Sequence, residues 1–199
     1  MLNEKGSSQD NKFENKLFDV VIPNNNEEKF INTAITLGYE NIVFLTNNSN
    51  YNIDNLKTKF PKIKIQTAYL IKDGSEIIKA RKKFDFIFAT AERKYFESKV
   101  DYIIYSEESN RKDSFHYRST SLNQVHAQLS KDNHINISIN FGLLLFDTKN
   151  IRINFGKMTQ NATLIKKYKL NYSIFSLARS PELMRSSTIL QSLKKVLKL

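Results

Sequence analysis

The chain contains no cysteine and only three histidines among its 199 residues. The first absence excludes disulfides and thiolate metal centres. The second leaves His116, His126 and His134 scattered, with no H-x-H pair and no H-E-x-x-H run. Long hydrophobic runs are missing as well. The longest apolar stretch, around "ISINFGLLLF", is far too short to span a membrane. The opening "MLNEKGSSQDNKFENK" is polar and has no apolar segment of the kind a signal peptide needs. Phosphate-binding and nucleophile signatures are also absent: no G-x-G-x-x-G, no P-loop, no G-x-S-x-G. Together these absences describe a soluble, cytoplasmic chain with no membrane partner. It has a loose tail over residues 1–16, one domain over 17–199, and no self-sufficient catalytic centre.

What is present is charge of one sign. The formal net charge is +11, from 31 basic and 20 acidic residues. From Thr148 to the last residue there are 11 basic residues against the single acid Glu182, which gives +10 for that quarter. Lysines on solvated faces of an AT-rich gene product would explain the first half of the chain. They do not explain the asymmetry, which points to a polyanion, with nucleic acid ahead of membrane.

Apolar residues make up 40% of the chain, enough for a substantial core. They fall into alternating periods. "FDVVIP", "NIVFLT", "KIKIQTAYLI", "FDFIFAT", "VDYIIYS", "HINISINF" and "NYSIFS" read as seven strands. Between them lie helical segments. "NEEKFINTAITLGY" places Phe30, Ile31, Ala34, Ile35 and Leu37 at helical spacing with Gly38 as the stop. Others cover Gly74–Lys83, Ser121–Lys131 with Leu122, Val125, His126 and Leu129 inward, and Asn154–Lys169. Ser186–Leu199 closes the chain, with Ile189, Leu190, Leu193, Val196 and Leu197 on one face. Strand–helix alternation predicts a parallel sheet with right-handed crossovers. Either a compact, slightly irregular barrel or an open doubly wound sheet satisfies the pattern. Both gather function at the C-terminal ends of the strands.

The candidate binding residues are basic. Arg111, Lys112 and Arg118 follow the fifth strand. Lys157, Lys166 and Lys167 lie off the buried face of the Asn154–Lys169 helix, which Met158, Ala162 and Ile165 define. Arg179 and Arg185 follow the seventh strand in "SLARSPELMRSS". There Ser180 and Pro181 predict the cap and first residue of a turn, and Ser186 or Ser187 caps the last helix. Guanidiniums beside free backbone N–H groups suit phosphate. The competing reading pairs one of these arginines with Glu182 or Asp147. Metal chemistry finds little support. A hydrolase barrel would carry a histidine pair after its first strand, where this chain reads "FDVVIPNNN" and Asp19 stands alone. Glu107, Glu108 and Asp113 read as a solvated acidic loop.

Four motifs in order carry a resemblance. R-K-D at Arg111–Asp113 is followed by S-L-N-Q-V-x-A-x-L from Ser121, then N-x-x-L-x-x-K-Y-K from Asn161, then A-R-S-P-x-x-M-R-S from Ala178. This set resembles the archaeal ribonuclease P protein component 3, the thirty-kilodalton subunit family shared with eukaryotes. The likeness is strongest from Asn110 onward and extends to "FDVVIPNNNEEKFINTAITLGYENIVFL", where the family also begins with a similar Asp.

The resemblance implies an irregular α/β barrel of the triosephosphate-isomerase type with about seven to eight parallel strands. Such a barrel is related to metal-dependent phosphoesterase barrels but is without their ligands. It implies a subunit of the endoribonuclease that removes the 5′ leader from precursor tRNA, itself non-catalytic and without a cofactor, with Mg²⁺ on the RNA subunit. Implied partners are the ribonuclease P RNA, protein component 2, the other protein subunits and, indirectly, precursor tRNA. Family members often carry a His where Gln124 aligns, and nearby His126 is not assigned its role. The alternatives are a metal-dependent phosphoesterase of the related barrel class and a general RNA-binding module.

Overall fold

A computed structural model describes residues 18–108 and 118–199. The tail at 1–16 and the candidates Arg111 and Lys112 lie outside the described residues, as do Asp113 and His116. Seven parallel strands form one sheet in strict sequence order: β1 (Phe18–Val21), β2 (Asn41–Thr46), β3 (Lys64–Leu70), β4 (Phe86–Thr90), β5 (Tyr102–Ile104), β6 (Asn136–Asn140) and β7 (Tyr172–Phe175). A doubly wound sheet reverses its strand order at a switch point, and this one does not. The sheet instead curls until β7 returns to β1. There Val21 bridges Ala178, and the Ile22 N–H donates to the Ala178 carbonyl at 2.8 Å. The architecture is an irregular, nearly closed α/β barrel of the triosephosphate-isomerase type.

Strand periodicity sorts the side chains into two layers. Inward positions fill the barrel with aromatic rings: Phe88 stacks on Tyr102 at 4.7 Å between centroids, and Phe175 meets Tyr102 at 5.5 Å and Phe18 at 5.2 Å. The interior is therefore a packed core. Outward positions such as Ile87, Ile103, Ile137 and Ile139 pack beneath the helices.

The helices are α1 (Glu27–Thr36), α2 (Asp54–Lys59), α3 (Ile77–Arg81), α4 (Arg93–Phe96), α5 (Gln124–Asp132), α6 (Leu143–Phe146), α7 (Ile151–Tyr168) and α8 (Ser187–Val196). α1 buries Phe30, Ile31 and Ala34 of its predicted face but leaves Ile35 exposed, and ends where Gly38 turns left-handed at φ +78. α5 starts where the Asn123 side chain accepts the His126 N–H at 2.9 Å.

Two helices sit in a different phase from the one their apolar residues predict. On α5, Ala127 and Ser130 are buried while Val125 is exposed. His126 turns sideways, stacking on Phe96 at 4.3 Å, with its Nδ1 2.7 Å from the Ser121 carbonyl. On α8, Leu190, Leu193 and Leu197 are buried, whereas Ile189 and Val196 face out. In both cases the buried stripe is narrower than the helix's apolar content, and α5 packs against α4 through the His126–Phe96 stack. No helix among the described residues is long and apolar enough to cross a membrane.

Candidate nucleic-acid interface at the barrel mouth

The C-terminal ends of β5, β6 and β7 open onto a polar mouth. β5 leads through Tyr105, left-handed at φ 61, into Ser106, Glu107 and Glu108. β6 ends on Asn140. Next comes Gly142, whose N–H donates to the Ser176 carbonyl at 3.0 Å. A Cβ on Gly142 would meet that carbonyl oxygen at 2.5 Å, so only glycine lets α6 start there. β7 runs through Ser176 and Ala178 to Arg179.

Glu107 is wholly buried, contrary to the solvated loop that its sequence context predicts. Asn161 donates to the Ser106 Oγ at 2.9 Å, and both groups neighbour Glu107. Neither makes a well-formed hydrogen bond to it: both of its carboxylate oxygens are without one among the described residues. Burial pushes the Glu107 carboxyl up to about 7 against the pull of these polar neighbours. Glu108 is also raised, first by burial. The Asn140 amide, 3.3 Å away, opposes this, followed by the charges of Arg179 and Lys157.

The basic candidates separate by place. Arg179 is exposed at the mouth, its guanidinium carbon 5.8 Å from the centre of the Phe146 ring and its charge felt by Tyr105 and Glu108. Arg118 lies across α7 at Gly156, where an added Cβ would come within 3.1 Å of its Nε. Lys157 joins this group by its effect on Glu108, but it is a correction to the reading of α7. It is buried beside Asn154, Met158 and Asn161 rather than off the buried face.

Arg185 points elsewhere. It donates to the carbonyls of Glu182 and Met184 at 2.8 and 2.7 Å, tying down the 3₁₀ turn Pro181–Leu183. Among the described residues neither arginine forms an ion pair with Glu182 or Asp147. Ser180 and Ser186 take the predicted cap positions, and Pro181 opens the turn. Lys166 and Lys167 sit in the last turn of α7, at the opposite end of the barrel.

One feature escaped sequence reading. Phe146, Ile151, Ile153 and Phe155 are all exposed, clustered in sequence around α6 and the first turn of α7 beside the mouth. The apolar run "FGLLLF" merges with the preceding strand, so no periodicity marks them as surface residues. Among the described residues, no group of three or more His, Cys, Asp or Glu side chains is placed to hold a metal ion.

Comparison with solved structures adds a fold relationship. A chain in the cryo-electron-microscopy structure of an archaeal ribonuclease P with mature tRNA superposes with a TM-score of 0.68 and 17% sequence identity. The match covers 89% of this chain and 82% of that one. The two share one fold. No family model and no curated protein matches the sequence. At this identity the ribonuclease P chain is a relative in architecture.

Proposed function

We propose that this protein is a subunit of ribonuclease P. It binds RNA and partner proteins, and supports the RNA-catalysed removal of the 5′ leader from precursor tRNA without a reaction centre of its own. The observation that carries the reading is the fold shared with a chain of archaeal ribonuclease P over 89% of the sequence. The four ordered motifs from Arg111 to Ser186 and the charge of the last quarter support it. In this reading Arg118 and Arg179, with Arg111 and Lys112 shortly before Arg118 in sequence, face phosphates of the ribonuclease P RNA. Such contacts position the RNA rather than read its sequence. The exposed group of Phe146, Ile151 and Phe155 suits a protein neighbour, for which component 2 is the candidate. The remaining subunits and precursor tRNA are reached through the assembly, and Mg²⁺ resides on the RNA.

The test is capture. The tagged protein, purified from its own cells, should bring down one dominant RNA that folds as a ribonuclease P RNA. The pure protein should leave precursor tRNA intact with any divalent ion, and should lower the Mg²⁺ requirement once RNA and the other subunits are added. Cleavage by the protein alone, or Mn²⁺-dependent phosphatase activity, would favour a phosphoesterase. A broad mixture of captured RNAs would favour a general RNA-binding module.

A further inference from the structure

At the end of the barrel away from the mouth, three helices that follow neighbouring strands finish. α5, α7 and α8 follow β5, β6 and β7, which are neighbours in the sheet. Each ends in lysine: Lys131 in the last turn of α5, Lys167 in that of α7, Lys194 and Lys195 in that of α8. Lys169 stands just past α7, and with Lys131 and His134 it lines a pocket of about 420 Å³.

Helix C-termini attract cations, so lysines alone at these positions prove nothing. The comparison within the molecule is informative. One last-turn cation of α2 and one of α3 are satisfied locally: Lys59 lies 2.7 Å from Glu28, and Arg81 2.9 Å from Asp101, while Lys57 and Lys79 beside them meet no carboxylate among the described residues. None of the lysines on this other face meets a carboxylate among the described residues. Asp132, which lines the same pocket, accepts from the Gln128 amide at 2.8 Å. The cations lie against rings: Lys194 is 5.5 Å from the centre of Tyr172, and Lys167 is 5.6 Å from that of Tyr168.

We infer that this face is a second RNA-backbone surface, separate from the mouth. α7 joins the two, and its 18 residues at 1.5 Å rise hold them roughly 27 Å apart. The chain therefore contacts two RNA segments, or two flanks of one. Unpaired ammonium groups interleaved with tyrosine rings match phosphodiesters and stacked bases. A lipid surface would need an apolar band, and among the exposed large apolar side chains of the described residues only Val196 lies in the last turn of any of these three helices. The inference rests on the reading of the protein as a ribonucleoprotein subunit.

The experiment measures binding of the full chain across a KCl series to two probes: transcribed ribonuclease P RNA and a short RNA duplex of unrelated sequence. The triple variant Lys131→Gln, Lys169→Gln, Lys195→Gln should bind both at least tenfold more weakly near 0.1 M salt, with a log–log salt slope shallower by about 2–3, since each lost duplex phosphate contact removes about 0.9. Its loss should multiply with that of Arg179→Ala, because the sites are far apart. A wild-type slope in a variant that melts normally overturns the proposal. So does a loss confined to phosphatidylserine vesicles, which would make the face a membrane contact. Ultraviolet crosslinking of the wild-type protein decides independently of the variant's folding: crosslinks at Tyr168 or Tyr172 support the surface, and their absence overturns it. If the duplex binds through these lysines while ribonuclease P RNA is not captured from cells, the subunit reading falls and the surface stands.

Discussion

Asp19 shares the outward side of β1 with Val21, and its Oδ1 accepts both the Val20 N–H at 2.9 Å and the Ser176 N–H at 2.8 Å. The carboxylate thus supplies a ladder bond across the β1–β7 seam, where the two strands share only one backbone bridge. Burial pushes its carboxyl up to about 6 from the ordinary 3.8, against the pull of the Ser176 and Val20 donors. A raised carboxylate favours the neutral form in the fold. Its contribution to stability is therefore complete below about pH 4 and declines as pH rises through 6. Two pH units correspond to about 3 kcal/mol. Glu107 acts in the same direction, from 4.5 to about 7. Asp19→Asn keeps the acceptor and removes the charge. Denaturant titrations at pH 5 and pH 7.5 should show a gap about 1–1.5 kcal/mol smaller in this variant than in the wild type, since at pH 5 only part of the effect is present. An unchanged gap would mean that Asp19 titrates normally in the fold. Nothing in "FDVVIP" announces this role, because it depends on a partner 157 residues away.

Elements were more legible than residues. Each of the seven apolar runs became a strand and each intervening segment held a helix, because local periodicity and the turn signals agree with the global arrangement. The misses have local causes. α6 is four residues long and continuous in hydropathy with β6. α7 begins at Ile151 rather than Asn154, since an exposed apolar first turn blurs its start. The arginine pair looked like one feature in sequence and is two in space. Arg179 projects from a strand end, whereas Arg185 holds the carbonyls at the close of a 3₁₀ turn whose chain also takes a bond from the Tyr39 hydroxyl, 2.7 Å from the Arg185 carbonyl oxygen. Arg185→Ala should therefore lower stability by about 1–3 kcal/mol through two charge-assisted bonds. Arg179→Ala should stay within about 0.5 kcal/mol, as for an exposed site. Thermal melts of the two single variants separate these outcomes, and equal melting temperatures would return Arg185 to the list of free surface cations.

For the molecule as a whole, barrel closure is its least redundant feature. β2 and β3 pair over six residues, Asn41–Thr46 against Lys64–Tyr69. β1 and β7 are joined by the Val21–Ala178 bridge, the Ile22-to-Ala178 bond and the Asp19 carboxylate. Cooperative opening begins where the fewest contacts must break, so the seam should open without the rest of the barrel unfolding. Arg179 follows Ala178 directly, which makes an ordered mouth depend on a closed seam. Native-state hydrogen exchange should find the Ile22 and Ser176 amides exchanging through a sub-global opening, faster than the central amides of β2 and β3. RNA bound at the mouth should slow the two seam amides more than those of β2, because it binds the closed form alone. If the seam amides exchange only with global unfolding, the barrel is as cooperative at its closure as along its longest ladder. RNA would then have no local opening to suppress.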